Sequence, residues 1–155
     1  MNNADVPVRQ ATRADAALLA RLLTDFNAEY GVEAPPMEAL ISRFASLLAG
    51  ATFEAFVVGE PVCGFGTVSL RASIYYDGHV ALIEDLYVKP TQRSHGHGSR
   101  LMTALIAHAR ERGWSAIEIQ VDESDVDAMR FYERHGYVWR DEASGDRALL
   151  WWRKV

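Results

Sequence analysis

The sequence predicts a mixed α/β fold, of the α+β type with a mixed sheet, packed around one core. Apolar residues repeat at helical spacing as far as residue 48 and form strand-like runs from residue 52 onward. Farther on, an apolar run, a helical pattern and an alternating run follow one another, which predicts two parallel strands joined by a crossover helix. A length of 155 residues with 49% hydrophobic composition suits one domain over residues 1–155.

The first third of the chain predicts a strand followed by two helices. Residues 6–11 form a short strand, and Thr12-x-x-Asp15 is typical of a capping box that starts a helix ending near Tyr30. The pair Pro35-Pro36 interrupts the pattern, and a second helix then runs to Gly50. The apolar stripes of these helices are Leu18, Leu19, Leu22, Leu23 and Phe26, and Met37, Leu40, Ile41, Phe44, Leu47 and Leu48.

The rest of the chain predicts six further strands and two helices. The turn signals Gly59-Glu60 and Asp77-Gly78 separate three strands that form an antiparallel meander. The predicted strands are residues 52–58, 61–76, 80–88, 116–121, 137–140 and 148–153, and the predicted helices are 98–111 and 126–135. The complete order of elements is therefore βααβββαβαββ.

Composition limits the classes of partner and compartment. A net charge of -5 without a basic run argues against nucleic acid or an anionic membrane as a partner. The sequence has neither an apolar run long enough to span a membrane nor a signal region at its start, so we expect a cytoplasmic protein. Cys63 is the single cysteine, which excludes an intrachain disulfide and a thiolate zinc site, and we expect it to be a small core residue.

A loop with two glycines connects the strand at 80–88 to the following helix. Its pattern is Arg93-x-x-Gly96-x-Gly98. Residues without Cβ allow a close backbone approach, and the N–H groups and dipole at a helix start favour an anion, although a plain turn with an N-cap has the same pattern. Two other phosphate loops do not fit, because Leu101 occupies the third small position of the dinucleotide fingerprint and no Gly-Lys-Ser/Thr is present.

This strand, loop and helix resemble motif A of the GNAT (Gcn5-related) N-acetyltransferases. The resemblance implies the GNAT fold over essentially the whole chain, with a mixed sheet splayed beside the fourth strand. It also implies acetyl-CoA as cosubstrate, with its pyrophosphate on the loop. The residues that the resemblance assigns to acetyl-CoA binding are Leu86, Tyr87, Val88, Arg93, Ser94, His95, Gly96, His97, Gly98, Ser99 and Asp125. No third ligand accompanies His95 and His97, so we expect no metal.

Glu84 and Asp85 are the candidate acids. Neighbours in a regular strand point to opposite faces, unless a β-bulge intervenes. Both could simply be solvated or paired with an arginine near a strand end, or one could be a general base for an amine. The pair resembles the Glu-Asp pair of polyamine acetyltransferases, and we favour Glu84 as the base because it shares parity with Leu82 and Leu86.

Tyr132 is the candidate general acid. It lies in Ala128-x-x-Phe131-Tyr132 followed by Gly136-Tyr137, which resembles the second signature of the family. The resemblance implies that this phenol protonates the departing thiolate, which its pKa near 10 permits, whereas the alternative is a core aromatic residue. Asp125 stands where the family commonly has asparagine; it can cap a helix but cannot donate a side-chain hydrogen bond while ionised.

The expected function is N-acetyl transfer from acetyl-CoA to a primary amine. The acceptor is a small molecule of the polyamine, aminoglycoside or amino acid type, or a protein amine. The alternative is a CoA-binding sensor or interaction module that keeps the fold without catalysis, a class for which the loop alone is sufficient. Trp151 and Trp152, adjacent in the last predicted strand, suggest a homodimer as a possible assembly.

Overall fold

A five-stranded mixed sheet organises the first part of the computed structural model, which describes residues 6–149 and 153–154. The strands lie in the order β1-β2-β3-β4-β5; the first four are antiparallel to their neighbours, and β5 is parallel to β4. They are β1 (Val8–Gln10), β2 (Phe53–Val58), β3 (Gly64–Arg71), β4 (Val80–Val88) and β5 (Ala116–Ile119). The predicted meander with a parallel fifth strand is confirmed.

Three helices accompany this sheet: α1 (Ala16–Glu29), α2 (Met37–Leu48) and α3 (His97–Glu111). One face of the sheet packs against α1 and α2 through a buried apolar cluster that includes Leu19, Phe44 and Phe65. The other face packs against α3, where Phe56 of β2 meets the ring of His108 at a centroid distance of 5.1 Å. In the part of the chain that the structure describes, no helix is long and apolar enough to cross a membrane.

Residues up to 119 and residues from 120 onward form two compact units, and the second contains α4 (Val126–Arg134). The Asp125 carboxylate caps α4 by accepting a hydrogen bond from the Ala128 amide at 3.0 Å. One domain over residues 1–155 stays a prediction.

The end of the chain differs from the prediction. The segment 137–140 is not a regular strand; its described partner contact is one antiparallel bridge between Arg140 and Arg147. Residues 150–152 of the predicted strand at 148–153, which include Trp151 and Trp152, lie outside the described residues. The strand predicted over 61–76 is shorter and covers only Gly64–Arg71, and the buried position of Cys63 confirms its assignment as a small core residue.

A polar cluster joins β1, β2 and α3 on the face opposite α1 and α2. The Glu54 side chain, in a residue that is 9% exposed, lies 2.5 Å from Nε2 of His108 and accepts a hydrogen bond from Gln10 Nε2 at 3.0 Å. Arg112 Nη2 is 3.9 Å from the other carboxylate oxygen. A buried carboxylate needs such partners, because removing one leaves a charge or a lone pair without compensation.

Replacing His108 by alanine should therefore destabilise the fold by about 3 kcal/mol, because Glu54 then stays buried without its nearest partner. Chemical denaturation would measure the free energy of unfolding. The double variant Glu54→Met with His108→Leu is the control, since it removes both polar partners and should recover most of the loss. A single variant as stable as the parent would show that the cluster does not hold α3 to the sheet.

Candidate active site

A β-bulge places the two candidate acids. Thr67 of β3 lies opposite Asp85, and the next residue, Val68, lies opposite Ile83. Glu84 is therefore the additional residue of β4 and has no partner directly opposite. A bulge of this kind breaks the strict alternation of side chains, so adjacent residues can turn to the same side of a sheet. The sequence left open either regular pleating or a β-bulge here, and the structure has the bulge.

Both acids accept hydrogen bonds from hydroxyl groups on one face of β3. Thr67 Oγ1 donates to Asp85 Oδ2 at 2.7 Å, and Ser69 Oγ donates to Oε1 of Glu84. Thr67 and Ser69 are two residues apart and thus share a face with Phe65, which belongs to the cluster beneath α1 and α2. The two carboxylates therefore act on a common volume, which neighbours in a regular strand would not do.

The environments of the two carboxylates differ. Burial raises the pKa of Asp85, the hydrogen bond from Thr67 lowers it, and the charge of Glu84 raises it again, with a net increase. Glu84, by contrast, is exposed to solvent. A carboxylate with a raised pKa holds a proton more readily, and the adjacent negative charge attracts a cation. This arrangement is suited to receiving an ammonium group and accepting its proton.

The edge of β4 next to these acids lacks a strand partner. Pairing between β4 and β5 begins at Val80 and ends with Ile83 opposite Ile119. Among the described residues, no strand pairs with residues 84–88 on that side, which is the predicted splay beside the fourth strand. Backbone groups alternate between the two edges of a strand, and the Lys89 amide bonds the Cys63 carbonyl of the β3 side, so Leu86 and the Val88 amide face the open edge and can bind an extended ligand there.

The loop after β4 has the backbone geometry of an anion cradle. A short 3-10 turn, Pro90–Gln92, leads to Ser94 with φ of 64° and Gly96 with φ of 80°, both left-handed. The first bond of α3 runs from the Arg100 amide to the Gly96 carbonyl, so the N–H groups of residues 97–99 precede the hydrogen-bonded ladder. A Cβ on Gly96 would lie 3.4 Å from Arg100 Nη1. These amides fit a phosphate group at the positive end of the helix dipole.

His97 is the buried side chain of this loop. It is 8% exposed, and its Nδ1 has no hydrogen-bond partner among the described residues. Burial lowers its pKa first, and the charges of Arg100 and His95 lower it further, so the ring is neutral at pH 7. The ring of His95, by contrast, is exposed, and its Nδ1 lies 2.7 Å from the Arg93 carbonyl. Across residues 6–149 and 153–154, no three histidine, cysteine or acidic side chains form a group that could hold a metal ion.

Arg93 makes a contact that the sequence did not reveal. Its guanidinium donates to both carboxylate oxygens of Glu29, at 2.6 and 2.7 Å, and its Nε donates to the Val88 carbonyl at 2.9 Å. This bidentate pair ties the loop to the end of α1. A contact between Arg93 and phosphate stays a prediction, and it would require the side chain to share or exchange its present partner.

Tyr132 and Asp125 belong to the second unit. The ring of Tyr132 packs against Phe131 at 5.2 Å and against Tyr137 at 5.6 Å between centroids. Burial raises the pKa of Tyr137 to about 12, so this neighbour stays neutral. Asp125 is confirmed as the cap of α4, whereas the roles of both residues toward acetyl-CoA stay predictions.

Sequence reasoning missed Thr67 and Ser69, the hydroxyl donors to the acid pair. A signal was present, because polar residues at 67, 69 and 71 alternate with Val68 and Leu70 in a predicted strand. Alternation alone indicates a solvated face, but Thr67 is 0% exposed. Its partner depends on the register of β4, which the bulge changes.

Comparison with known proteins identifies the family. The model of the acetyltransferase (GNAT) family matches residues 18–137. The chain is 31% identical over 134 residues to aminoglycoside N(6')-acetyltransferase type 1 of Stenotrophomonas maltophilia, covering 84% of each protein. It is 27% identical over 139 residues to the uncharacterized N-acetyltransferase YhfO of Bacillus subtilis (strain 168), covering 84% of this chain and 88% of YhfO.

Solved structures agree with the fold. A candidate acetyltransferase from Arthrobacter sp. FB24 has 38% sequence identity and a TM-score of 0.93, over 100% of this chain and 99% of its own. An aminoglycoside acetyltransferase from an uncultured soil metagenomic sample, crystallised with sisomicin, has a TM-score of 0.79 over 97% of this chain and 96% of its own. At 21% identity the latter shows the fold alone. The matched family and the named relatives establish that the chain belongs to the GNAT family and is an acetyl-transfer enzyme.

Proposed function

We propose that this enzyme transfers an acetyl group from acetyl-CoA to a primary amine of a small, positively charged molecule. The observation that carries the proposal is the acid pair Glu84 and Asp85, two adjacent carboxylates that lie at the bulge between β3 and β4. An aminoglycoside N(6')-acetyltransferase among the relatives supports an acceptor of this class. GNAT enzymes use acetyl-CoA, and the left-handed loop and free helix start fit its pyrophosphate.

Backbone groups are proposed to hold the cosubstrate. The amides of residues 94–99 would bind phosphate oxygens, and the open edge at Leu86 and Val88 would bind the extended arm and polarise the thioester carbonyl. Asp125 is proposed to lie along the same arm. Side chains contribute less charge here than the sequence suggested, because Arg93 is already paired with Glu29.

The acid pair is proposed to prepare the amine. An aliphatic amine has a pKa near 10.4, so it arrives protonated and cannot attack a thioester. Glu84, the exposed acid, would receive the ammonium group and take its proton, while Asp85 adds negative charge behind it. The free amine then forms the C–N bond as the C–S bond breaks, and its nitrogen loses a second proton to solvent. Tyr132 would give its hydroxyl proton to the departing thiolate and regain a proton from solvent.

The cradle can be tested by replacing Gly96 with valine. A β-branched residue at φ of 80° is strained and would distort the loop that presents the amides, so the affinity for CoA should fall roughly tenfold or more. Calorimetric titration with CoA would measure the change. Gly113→Ala is the matched control, because Gly113 has φ of 67° outside the loop and open space around it. Equal CoA affinity in a folded Gly96→Val protein would refute the cradle.

The general acid can be tested with Tyr132→Phe. This change deletes one hydroxyl and almost no volume, so turnover should fall by about 10²- to 10⁴-fold while CoA affinity is nearly unchanged. The measurement is the rate of thiol release with a saturating amine. Tyr137→Phe is the control, because the raised pKa of Tyr137 makes it a poorer proton donor. If chemistry is rate-limiting and Tyr132→Phe has the turnover of the parent, Tyr132 is a core aromatic residue and not the general acid.

The base can be assigned from the pH dependence of kcat/KM in Glu84→Gln and Asp85→Asn. Glu84→Gln should lose about 10²- to 10⁴-fold at neutral pH and recover partly at high pH, where free amine accumulates. Asp85→Asn should chiefly raise KM for the amine. The raised pKa of Asp85 makes it the alternative base. If Asp85→Asn, and not Glu84→Gln, abolishes the decrease of kcat/KM at acidic pH, Asp85 is the base.

A further inference from the structure

Two hydroxyl groups beneath the acid pair are not part of the function proposed above. Thr67 is fully buried in the middle of β3, and its Oγ1 donates to Asp85 at 2.7 Å. Ser69, one pleat farther along β3, donates to Glu84. A buried threonine without a polar partner would be replaceable by valine at little cost, whereas here its hydroxyl has a single carboxylate as its hydrogen-bond acceptor in the described part of the chain.

We propose that Thr67 and Ser69 are positioning residues, which fix Asp85 and Glu84 respectively in the arrangement that amine acetylation requires. This inference rests on the proposed function, because it assigns the two hydroxyls to the same acid pair. The bulge supplies the reason that such residues are needed. Glu84, the residue added to β4, has no cross-strand neighbour to fix its direction, and its side chain accepts a hydrogen bond from Ser69 instead. Asp85 follows it directly and lies opposite Thr67, whose hydroxyl donates to its carboxylate.

The hydroxyl of Thr67 also influences the ionisation of Asp85. A hydrogen bond donated to a carboxylate stabilises its charged form, and the Thr67 bond opposes the rise in pKa that burial and Glu84 cause at Asp85. Removing the Thr67 hydroxyl should therefore raise the pKa of Asp85 further. Asp85 would then be neutral over a wider range of pH and would attract an ammonium group less.

Other charged groups around the pair are already paired or directed elsewhere. On the same face, Arg71 of β3 forms an ion pair with Glu118 of β5 at 2.7 Å. On the α1 side, the charges of Asp25 and Glu29 raise the pKa of Tyr87, and Arg93 binds Glu29. The neighbouring charge that shifts the pKa of Asp85 is that of Glu84, and the side-chain hydrogen bond that shifts it is that of Thr67.

The test compares Thr67→Val, Thr67→Ser, Thr67→Ala and Ser69→Ala. Titration of the Asp85 carboxyl by carbon-detected NMR, with Asp85→Asn to assign the signal, is independent of turnover. We expect a midpoint about one pH unit higher in Thr67→Val, a parental value in Thr67→Ser, and little change in Ser69→Ala. Thr67→Ala gives the same readout if the valine variant does not fold.

Kinetics with an accepted amine provides the second readout. In Thr67→Val, KM for the amine should rise about twofold at the shifted midpoint, approach about tenfold below the parental midpoint, and return to the parental value at higher pH, with kcat less affected. Ser69→Ala should lower kcat and leave the pH dependence of KM unchanged. Parental titration and kinetics in Thr67→Val would overturn the proposal for Thr67, and parental kcat in Ser69→Ala would overturn it for Ser69. If no amine is accepted, the proposed function fails, whereas the NMR titration still decides the Thr67 contact.

Discussion

The register shift between β3 and β4 is the constraint on which the rest of the site depends. One additional residue in β4 turns two adjacent carboxylates to a common face, and hydroxyls on β3 hold them there. Pairing between β4 and β5 also ends at Ile83, immediately before the additional residue, so the strand leaves its parallel neighbour with an unpaired edge. The bulge thus coincides with two features that an acyl-transfer site needs: paired acids and free backbone groups.

The loop and the helix start that form the proposed anion site follow β4 directly in the sequence. From the open edge of β4 the chain passes through the 3-10 turn and the left-handed residues Ser94 and Gly96 into α3. Anchoring is strong at both ends, because α3 buries Leu101, Met102 and Leu105 and β4 lies within the sheet. The loop is therefore presented by two rigid elements, which preserves the direction of its amides.

Much of the fold could be predicted because periodicity reports burial directly. The bounds of α2 and β4 agree with the sequence patterns of residues 37–48 and 80–88, and the strand, loop and helix that carry the glycines stand where the pattern placed them. The regular strand predicted at 137–140 was wrong, because alternation around Tyr137 does not reveal whether a partner strand lies beside it. Long-range partners were equally inaccessible: nothing local to Arg93 indicates Glu29, and the Thr67 contact depends on a register that a bulge alters.

The pairing of Arg93 with Glu29 has a consequence for the kind of anion site that the loop offers. With that charge compensated, the attraction at residues 94–99 comes largely from oriented peptide dipoles, whose field declines faster with distance than the field of a net charge. Such a site selects by the shape of the anion and is weakly screened by dissolved salt, whereas a cluster of free arginines would capture many polyanions at low ionic strength. In an acidic protein with a net charge of -5, we expect the proposed site to exert less long-range attraction on polyanions than a basic cluster would.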